Sequence, residues 1–227
     1  AALVNDLSDR REIEDALRHQ ATHDALTGLP NRSRLASAVE AALDVPGGKR
    51  GTGLLVCDLD LFKAVNDRVG HTGGDELLVQ VARRLREGLR PDDLVARISG
   101  DEFVVLLSDV DAAEALRVAR RLVDDVARPV VLDRQREIRP SISVGAAVAE
   151  PGESPDSLFR VADAALYQAK RRGSGRSMLK FRSSACCSAT AIRRTTSTTR
   201  TCAGATSPTS FSARAWAHAP TRSSSRA

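Results

Sequence analysis

The sequence contains no long apolar run. None of its apolar stretches approaches the roughly 18 to 20 consecutive residues that a helix needs to cross a bilayer. The start of the chain also lacks the basic and then apolar stretches of a secretory signal. We therefore expect no membrane insertion in this segment. Because the first residue is Ala rather than Met, we also expect a segment of a longer protein.

Cysteine is scarce as well. Of the four cysteines, Cys57 alone lies within residues 1–182. A disulfide framework is therefore excluded for that part of the chain. Cys57 follows the apolar run Leu54–Val56, and we predict that it is a small buried hydrophobe in a reducing compartment.

Acidic residues are absent from residues 183–227, which contain six Arg and no Lys. The formal net charge of the whole sequence is +5, and this segment contributes +6, so residues 1–182 carry −1. The basic total therefore does not indicate a nucleic-acid partner. The segment also has 19 Ser or Thr but no Leu, Val or Met. It can bury too little apolar surface to offset the entropy of ordering. We predict either a natural disordered tail or a non-native, frame-shifted translation.

At the other end, residues 7–22 place Leu7, Ile13, Leu17 and Ala21 along one narrow helical stripe. A stripe of this width is typical of a coiled-coil seam and predicts a connector helix that pairs with a copy of itself. A helix packed on its own domain is the alternative. The predicted organisation is a connector over residues 1–22, a folded domain over 23–182 and the tail.

Helical and strand patterns alternate within the folded domain. Apolar residues recur at helical spacing in residues 33–43, 75–89, 112–127 and 155–169. Apolar runs typical of strands occupy residues 53–60, 94–98, 103–107 and 141–149. Ser154 and Pro155 mark the start of the last helix. The pattern predicts an α/β fold with a mixed central sheet that carries a β-hairpin and is covered by helices.

Carboxylates lie at the ends of two of the predicted strands. Asp58 and Asp60 end the first, and Asp101 and Glu102 lie at the hairpin turn. If these strands are neighbours, Asp58 and Asp101 meet at one edge and offer hard oxygen ligands for Mg²⁺ or Mn²⁺ that leave room for phosphate oxygens. Acids at strand ends are also common turn formers, so the spacing alone leaves both interpretations open.

Residues 61–76 are predicted to form a polar loop rich in Asn, Asp and Gly. Asn66 offers a donor and an acceptor, and a carboxylate such as Asp75 accepts from two N–H groups at once. Such a pair suits the amide edge of guanine. A turn followed by Asp75 near a helix N-terminus explains the same residues. We expect His71 to be a structural hydrogen-bonding residue.

Five motifs follow one another along the chain: HDALTGLPNR, DLDLFKAVNDRVGHTGGDELL, ARISGDEFVVLL, SISVGAAVA and ADAALYQAK. Their order and approximate spacing resemble those of the GGDEF family, the diguanylate cyclases. The resemblance covers about residues 22–180. It implies a nucleotide-cyclase-like or polymerase-palm-like fold in a bacterial cytoplasmic protein. It also implies a homodimer that condenses two GTP into cyclic di-GMP, with two Mg²⁺ or Mn²⁺ ions in each half-site.

The resemblance also implies the site residues. Asp58, the Leu59 carbonyl and Asp101 match the family's metal ligands, and Asn66 and Asp75 match its guanine-binding pair.

Four further positions match residues that bind the GTP phosphates: the Leu61 and Phe62 backbone amides, Lys63, and Lys170 for the γ-phosphate. Glu102 matches the second acid of the signature, where a metal ligand and a residue that orients the attacking hydroxyl remain alternatives.

A product-inhibition site is implied by Arg90 and Asp93, which are separated from Ser99 by five residues, as in the family's RxxD motif. An arginine fork can hold phosphate and guanine together. Arg121 falls where a second product-binding arginine is expected. A solvated turn is the alternative interpretation of Arg90 and Asp93.

Two positions depart from the family pattern. Ser99 replaces the first Gly of the signature, where the chain is expected to need a positive φ, and we expect reduced or normal activity rather than none. Ser174 stands where the family usually has Arg, and Arg172 or Arg176 is the expected substitute.

The N-terminal helix resembles the signalling helix that joins a PAS-type sensor to a GGDEF domain. Many such proteins continue into an EAL domain beyond the point where the tail begins here. Two other functions stay open: a degenerate domain that binds GTP or cyclic di-GMP and regulates a partner, and a class III nucleotide cyclase or polymerase-palm relative. The latter should lack the guanine pair Asn66 and Asp75.

Overall fold

The computed structural model describes residues 17, 19–44, 51–132, 136–173 and 175–180. Its helices are α1 (Arg32–Leu43), α2 (Phe62–Glu87), α3 (Ala112–Val126) and α4 (Pro155–Arg171). Its strands are β1 (Gly51–Leu59), β2 (Leu94–Ser99), β3 (Glu102–Val110), β4 (Val130–Leu132), β5 (Arg136–Ile138), β6 (Ile142–Val148) and β7 (Ser177–Lys180).

Five strands form one sheet in the order β2-β3-β1-β6-β7. The central strand β1 is antiparallel to both β3 and β6, whereas β7 runs parallel to β6. Strands β4 and β5 form a separate hairpin. The prediction of a mixed α/β sheet with a hairpin between β2 and β3 is confirmed. The sequence patterns do not indicate the short strands β4, β5 and β7.

Side chains of β1 point alternately to the two faces of the sheet. Leu55 and Cys57 join a core with α2 and α3, and Leu54 and Val56 join a second core with α1 and α4. Cys57 is fully buried, as predicted, and burial together with the neighbouring Asp58 carboxylate raises the pKa of its thiol. The same alternation places Asp58 on the face that α4 covers.

Three helices begin with a capping side chain. Asn31, Asp111 and Ser154 each accept a hydrogen bond from the backbone N–H three residues further on. Each bond satisfies one of the N–H groups that a helix leaves free at its start. The predicted start of the last helix, with Ser154 as the cap and Pro155 in the first turn, is confirmed.

The prediction of a loop over residues 61–76 is wrong, because helix α2 covers nearly all of this segment. Phe62, Val65 and Val69 recur at spacings of three and four residues and pack against the core. This apolar stripe stabilises a helix although the outward residues are polar. Gly70, with φ 79° and ψ 169°, breaks the helix into two parts.

The predicted connector, residues 1–22, lies mostly outside the described residues. Its described residues, 17 and 19–22, are helical. The predicted tail, residues 183–227, lies wholly outside them. Within the part of the chain that the structure describes, no helix is both long and apolar enough to cross a membrane.

Candidate active site

Two carboxylates face each other across β1 and β3. Asp58 is paired with Glu102 in the antiparallel register. Directly opposite residues share one face of the sheet, with Cβ atoms about 4.5 to 5.5 Å apart. The two acid-bearing strands are therefore neighbours, as the sequence analysis required. Asp101 lies in the turn, where its backbone carbonyl accepts a hydrogen bond from the Leu59 amide at 3.2 Å.

Lys170, near the end of α4, forms an ion pair with Asp58. Its Nζ lies 2.7 Å from Asp58 Oδ2, and both side chains are largely buried. Burial raises the pKa of Asp58, and the nearby Asp101 and Glu102 carboxylates raise it further, whereas Lys170 opposes the shift. The site thus concentrates negative charge that a single lysine offsets only in part.

Gly145 on β6 sets how closely α4 approaches the sheet. A Cβ at this position would overlap the Leu166 amide nitrogen and the Ala162 carbonyl, and would lie 2.7 Å from Leu166 Cα. A side chain is therefore incompatible with the observed position of the helix. Because Lys170 lies one turn beyond Leu166 on α4, this close approach brings its ammonium group within reach of Asp58.

Asp163 belongs to the site, although the sequence analysis did not single it out. It precedes Lys170 by seven residues on α4, which places both side chains on one helix face after about two turns. Burial and the Glu102 carboxylate raise the pKa of Asp163 to about 6, and Lys170 opposes the shift. The seven-residue spacing within ADAALYQAK was the only signal in the sequence that could have indicated it.

Arg97 on β2 holds the turn that carries the acids. Its Nε and Nη2 donate hydrogen bonds to the Gly100 carbonyl at 3.0 and 2.8 Å, and its Nη1 lies 2.9 Å from Asp24 Oδ1. Asp24 in turn accepts two hydrogen bonds from Thr27. The HDALTGLPNR segment is therefore joined to the signature turn through one guanidinium group.

Ser99 does not adopt the positive φ expected for it. Gly100 has that conformation, with φ 41°, and is the position at which the turn requires glycine. The Ser99 hydroxyl instead donates a hydrogen bond to Glu102 Oε2 at 2.7 Å. A serine is thus compatible with the backbone of this hairpin.

Asn66 lies before the break in α2 and Asp75 after it. The Asn66 Oδ1 atom is buried and has no hydrogen-bond partner within the described residues. Gly74 leaves it this space, because a Cβ there would overlap that oxygen. A buried acceptor without a partner is costly unless a ligand satisfies it. Asp75, which follows Gly74 in the sequence, is exposed.

The start of α2 lies directly after β1. Leu61 is 75% exposed, has φ 57° and makes no side-chain capping hydrogen bond, and Lys63 is exposed. The first N–H groups of a helix have no partner within the helix. The Phe62 and Lys63 amides thus lie at a terminus that favours anions.

Asp60, an acid that the sequence analysis placed at a strand end, makes structural hydrogen bonds. It accepts them from the Ser141 and Ser143 hydroxyls at 2.9 and 2.7 Å and from the Gly175 amide at 2.8 Å. These bonds join β1, β6 and the turn before β7. Ser174 itself lies outside the described residues, while Arg172 and Arg176 on either side are exposed.

Arg90 and Arg121 approach the same connection between α2 and β2. Arg90 Nη2 lies 2.8 Å from Glu114 Oε1, and the Arg121 guanidinium donates to the Gly88 carbonyl at 2.7 Å. Asp93 accepts hydrogen bonds from the Arg90 and Ser108 amides at 3.1 and 3.2 Å. The predicted inhibitory residues therefore meet at the connection between α2 and β2, and Asp93 contacts Ser108, near the end of β3 opposite to Glu102.

The family model for the diguanylate cyclase GGDEF domain matches residues 21–176. This chain belongs to the GGDEF family. Among curated proteins, the domain is 40% identical over 181 residues to diguanylate cyclase TpbB of Pseudomonas aeruginosa, covering 77% of this chain and 42% of the relative. It is 38% identical over 175 residues to diguanylate cyclase DgcM of Escherichia coli, with the same two coverages. The chain thus spans less than half the length of these relatives.

Solved structures resemble this GGDEF domain closely. The GGDEF domain of TpbB superposes with a TM-score of 0.67 at 39% identity, covering 70% of this chain and 94% of that one. The coiled coil and GGDEF domain of DgcB from Caulobacter crescentus, solved in complex with c-di-GMP, gives a TM-score of 0.73 at 30% identity, covering 78% and 95%.

The donor chemistry of the GGDEF domain fits a divalent metal. Asp58 and Glu102 are opposed like charges, a pairing that is destabilising without a cation between or beside them. Their oxygens are the ligand type that Mg²⁺ and Mn²⁺ prefer. No three His, Cys, Asp or Glu side chains among the described residues are grouped so that they could hold an ion by themselves. A metal here would therefore need further oxygen ligands from the backbone, from a substrate or from water.

Proposed function

We propose that this GGDEF domain is a diguanylate cyclase that condenses two GTP into cyclic di-GMP and two pyrophosphate, each subunit of a homodimer holding one GTP. The observation that carries the proposal is the opposed Asp58–Glu102 pair beside Lys170. It combines oxygen ligands for a cation with an ammonium group for phosphate. The family membership and the relatives named diguanylate cyclases support the same reaction.

In this proposal, Asp58, the Leu59 carbonyl and Asp101 hold Mg²⁺ or Mn²⁺, two ions in each half-site. Metal bound there would neutralise phosphate charge, polarise the α-phosphorus and lower the pKa of the attacking 3′-hydroxyl. Glu102 completes the acidic group as a metal ligand or by orienting that hydroxyl. When the carboxylates are occupied, Lys170 is available to bind the γ-phosphate.

The base and the remaining phosphates are bound by α2. Asn66 and Asp75 bind the guanine edge, and the buried, unpartnered Asn66 oxygen supports this role. The Leu61 and Phe62 amides, together with Lys63, bind phosphate at the helix start. This arrangement favours guanine over adenine, because the two bases present opposite donor and acceptor patterns at this edge.

The test is an assay with GTP and Mg²⁺ over a protein dilution series, with the nucleotide products identified. We expect cyclic di-GMP from the wild type and none from Asp101→Ala, with thermal stability nearly unchanged because Asp101 lies in a turn. Asp44→Ala, an exposed acid after α1, is the matched control and should retain turnover.

Two outcomes would favour the alternatives. GTP or cyclic di-GMP binding without product at any protein concentration would favour a regulatory binding module, for which Ser99 and the position of Ser174 are the motivation. Equal turnover of ATP would favour a class III cyclase or palm-like relative.

We also propose that Arg90, Asp93 and Arg121 bind cyclic di-GMP as an inhibitor. The support is the position of all three at the connection between α2 and β2 and the 55% exposed Arg90 side chain. Glu114, which pairs with Arg90 and Arg117, competes with the ligand for the Arg90 fork. Arg90→Ala should relieve product inhibition at little cost to the initial rate, whereas Arg83→Ala, an exposed arginine on α2, should not. Unchanged inhibition in Arg90→Ala would contradict the proposal.

The partners follow from the same reaction. We propose that residues 1–22 pair two subunits so that their half-sites meet, downstream of a PAS-type sensor. GTP as substrate and a single buried cysteine in the domain support a cytoplasmic location. Sedimentation of the full chain with and without residues 1–16 tests the role of this segment in dimerisation.

A further inference from the structure

The Ser99 hydroxyl contacts an acid of the active site. Its Oγ donates a hydrogen bond to Glu102 Oε2 at 2.7 Å, and the two residues are directly paired where β2 and β3 meet. They flank the two-residue turn Gly100–Asp101. A glycine at position 99 has no side-chain donor for this bond. The hydrogen bond therefore requires a hydroxyl side chain at position 99, which the family's glycine lacks.

Glu102 lies between two different neighbours. Strand β3 is flanked by β1 and β2, so Glu102 faces the Asp58 carboxylate on one side and the Ser99 hydroxyl on the other. Like charges directly opposite each other repel, whereas an O–H donor to a carboxylate forms a short and comparatively strong hydrogen bond. Asp58 on β1 therefore repels the Glu102 carboxylate, whereas Ser99 on β2 binds it.

We propose that Ser99 is a positioning residue for Glu102. Its hydroxyl binds one carboxylate oxygen beside β2 and restricts the side chain to one orientation, which leaves the other oxygen for the reaction. The effect on turnover rests on the proposed cyclase function, but the hydrogen bond does not. Serine in place of the family's glycine thus supports activity in this chain, rather than intruding on the substrate.

Three substitutions separate the hydroxyl from the bulk of the side chain. Ser99→Ala removes the donor and keeps the Cβ, Ser99→Gly restores the family residue, and Ser99→Thr keeps the donor. We expect Ala and Gly to lower kcat about 2- to 10-fold, the factor that one hydrogen bond supplies. Thr should retain kcat, and KM for GTP should stay within about twofold in all three, because the Ser99 hydroxyl binds Glu102 and Ser99 is not one of the proposed guanine-binding residues.

The opposite order of rates would overturn the proposal. If the Cβ obstructs the substrate, Ser99→Gly is faster than the wild type and Ser99→Ala equals it. Equal kcat in the wild type and Ser99→Ala would also contradict a role for the hydroxyl.

A second measurement uses protein without metal or nucleotide. Urea midpoints are compared for the wild type, Ser99→Ala, Glu102→Ala and the double variant. We expect Ser99→Ala to lower the midpoint in the wild-type background and not in the Glu102→Ala background. Equal shifts in both backgrounds would refute the hydrogen bond. This result is obtained even if no variant makes cyclic di-GMP, an outcome that rejects the cyclase function alone.

Discussion

Replacing Arg97 with alanine should destabilise the domain, because it removes a partly buried side chain that makes an ion pair and two hydrogen bonds. Arg97 is 11% and Asp24 25% exposed in their side chains, and the guanidinium makes two bonds to the Gly100 carbonyl besides the ion pair. Hydrogen bonds to charged groups contribute about 1.5 to 3 kcal/mol each, and fully exposed pairs less than about 1 kcal/mol. Because these groups lie between the two limits, we expect a total loss of about 3 kcal/mol. For a domain of this size that is roughly 6 to 12 °C in Tm.

The assay is urea unfolding with a matched control and a double-mutant cycle. Arg128→Ala removes an exposed arginine, 71% accessible, from a similar pair with Asp125, and should cost less than about 1 kcal/mol. Asp24→Asn should cost far less in the Arg97→Ala background than in the wild type.

The Asp24 carboxyl adds a pH dependence to this test. Burial raises its pKa, but the Thr27 hydrogen bonds and Arg97 outweigh burial and leave the pKa lowered. The stability that Asp24 contributes is therefore present above its usual pKa and is lost as the pH falls through the lowered value. If Arg97→Ala loses no more stability than Arg128→Ala at neutral pH, the inferred link between the two segments is wrong.

Two further predictions concern α4. Gly145→Ala forces a side chain into the backbone of the helix near Leu166, so we expect the free energy of unfolding in urea to fall by about 1 to 3 kcal/mol. GTP turnover should also fall, because Lys170 moves with the helix. Wild-type turnover in this variant would contradict the inferred close approach. Burial and Glu102 raise the pKa of Asp163 to about 6, and Lys170 opposes the shift. The folded state therefore binds a proton that the unfolded state has released, and the stability of the wild type falls as the pH rises from about 4 to 6. Asp163→Asn should therefore gain Tm over the wild type between these pH values and keep that gain above pH 7; a pH-independent difference would show that the pKa is not raised.

The sequence alone could predict the position of the carboxylates but not their pairing. Asp58 and Glu102 follow or precede strongly apolar strands, and such strands are identified by composition. That Glu102, not Asp101, lies opposite Asp58 depends on the register, which is set by the length of the turn and by the core. The register also determines that the turn places the positive φ at Gly100 rather than at Ser99.

Other features depend on tertiary contacts that no local pattern reports. The start of α2 carries an apolar stripe at Phe62, Val65 and Val69, but Gly, Asn and Asp around it favour a turn by propensity. Packing on the core overrode that propensity. Asp163 differs from any other helical aspartate only through burial and through the proximity of Glu102, and neither is visible before the helix is placed on the sheet.

The strand order also has a consequence for folding during synthesis. The central strand β1 cannot be flanked on both sides until β6 has left the ribosome, because β6 follows β1 by more than 80 residues. The opposed carboxylates on β1 and β3 can therefore assemble before Lys170, which belongs to α4, has been translated. During synthesis the carboxylate pair can form first, and Lys170 becomes available only with α4, shortly before the edge strand β7. A chain that stops short of α4 would still contain the strands β1, β3 and β6 but would lack the Lys170 charge that offsets the carboxylates.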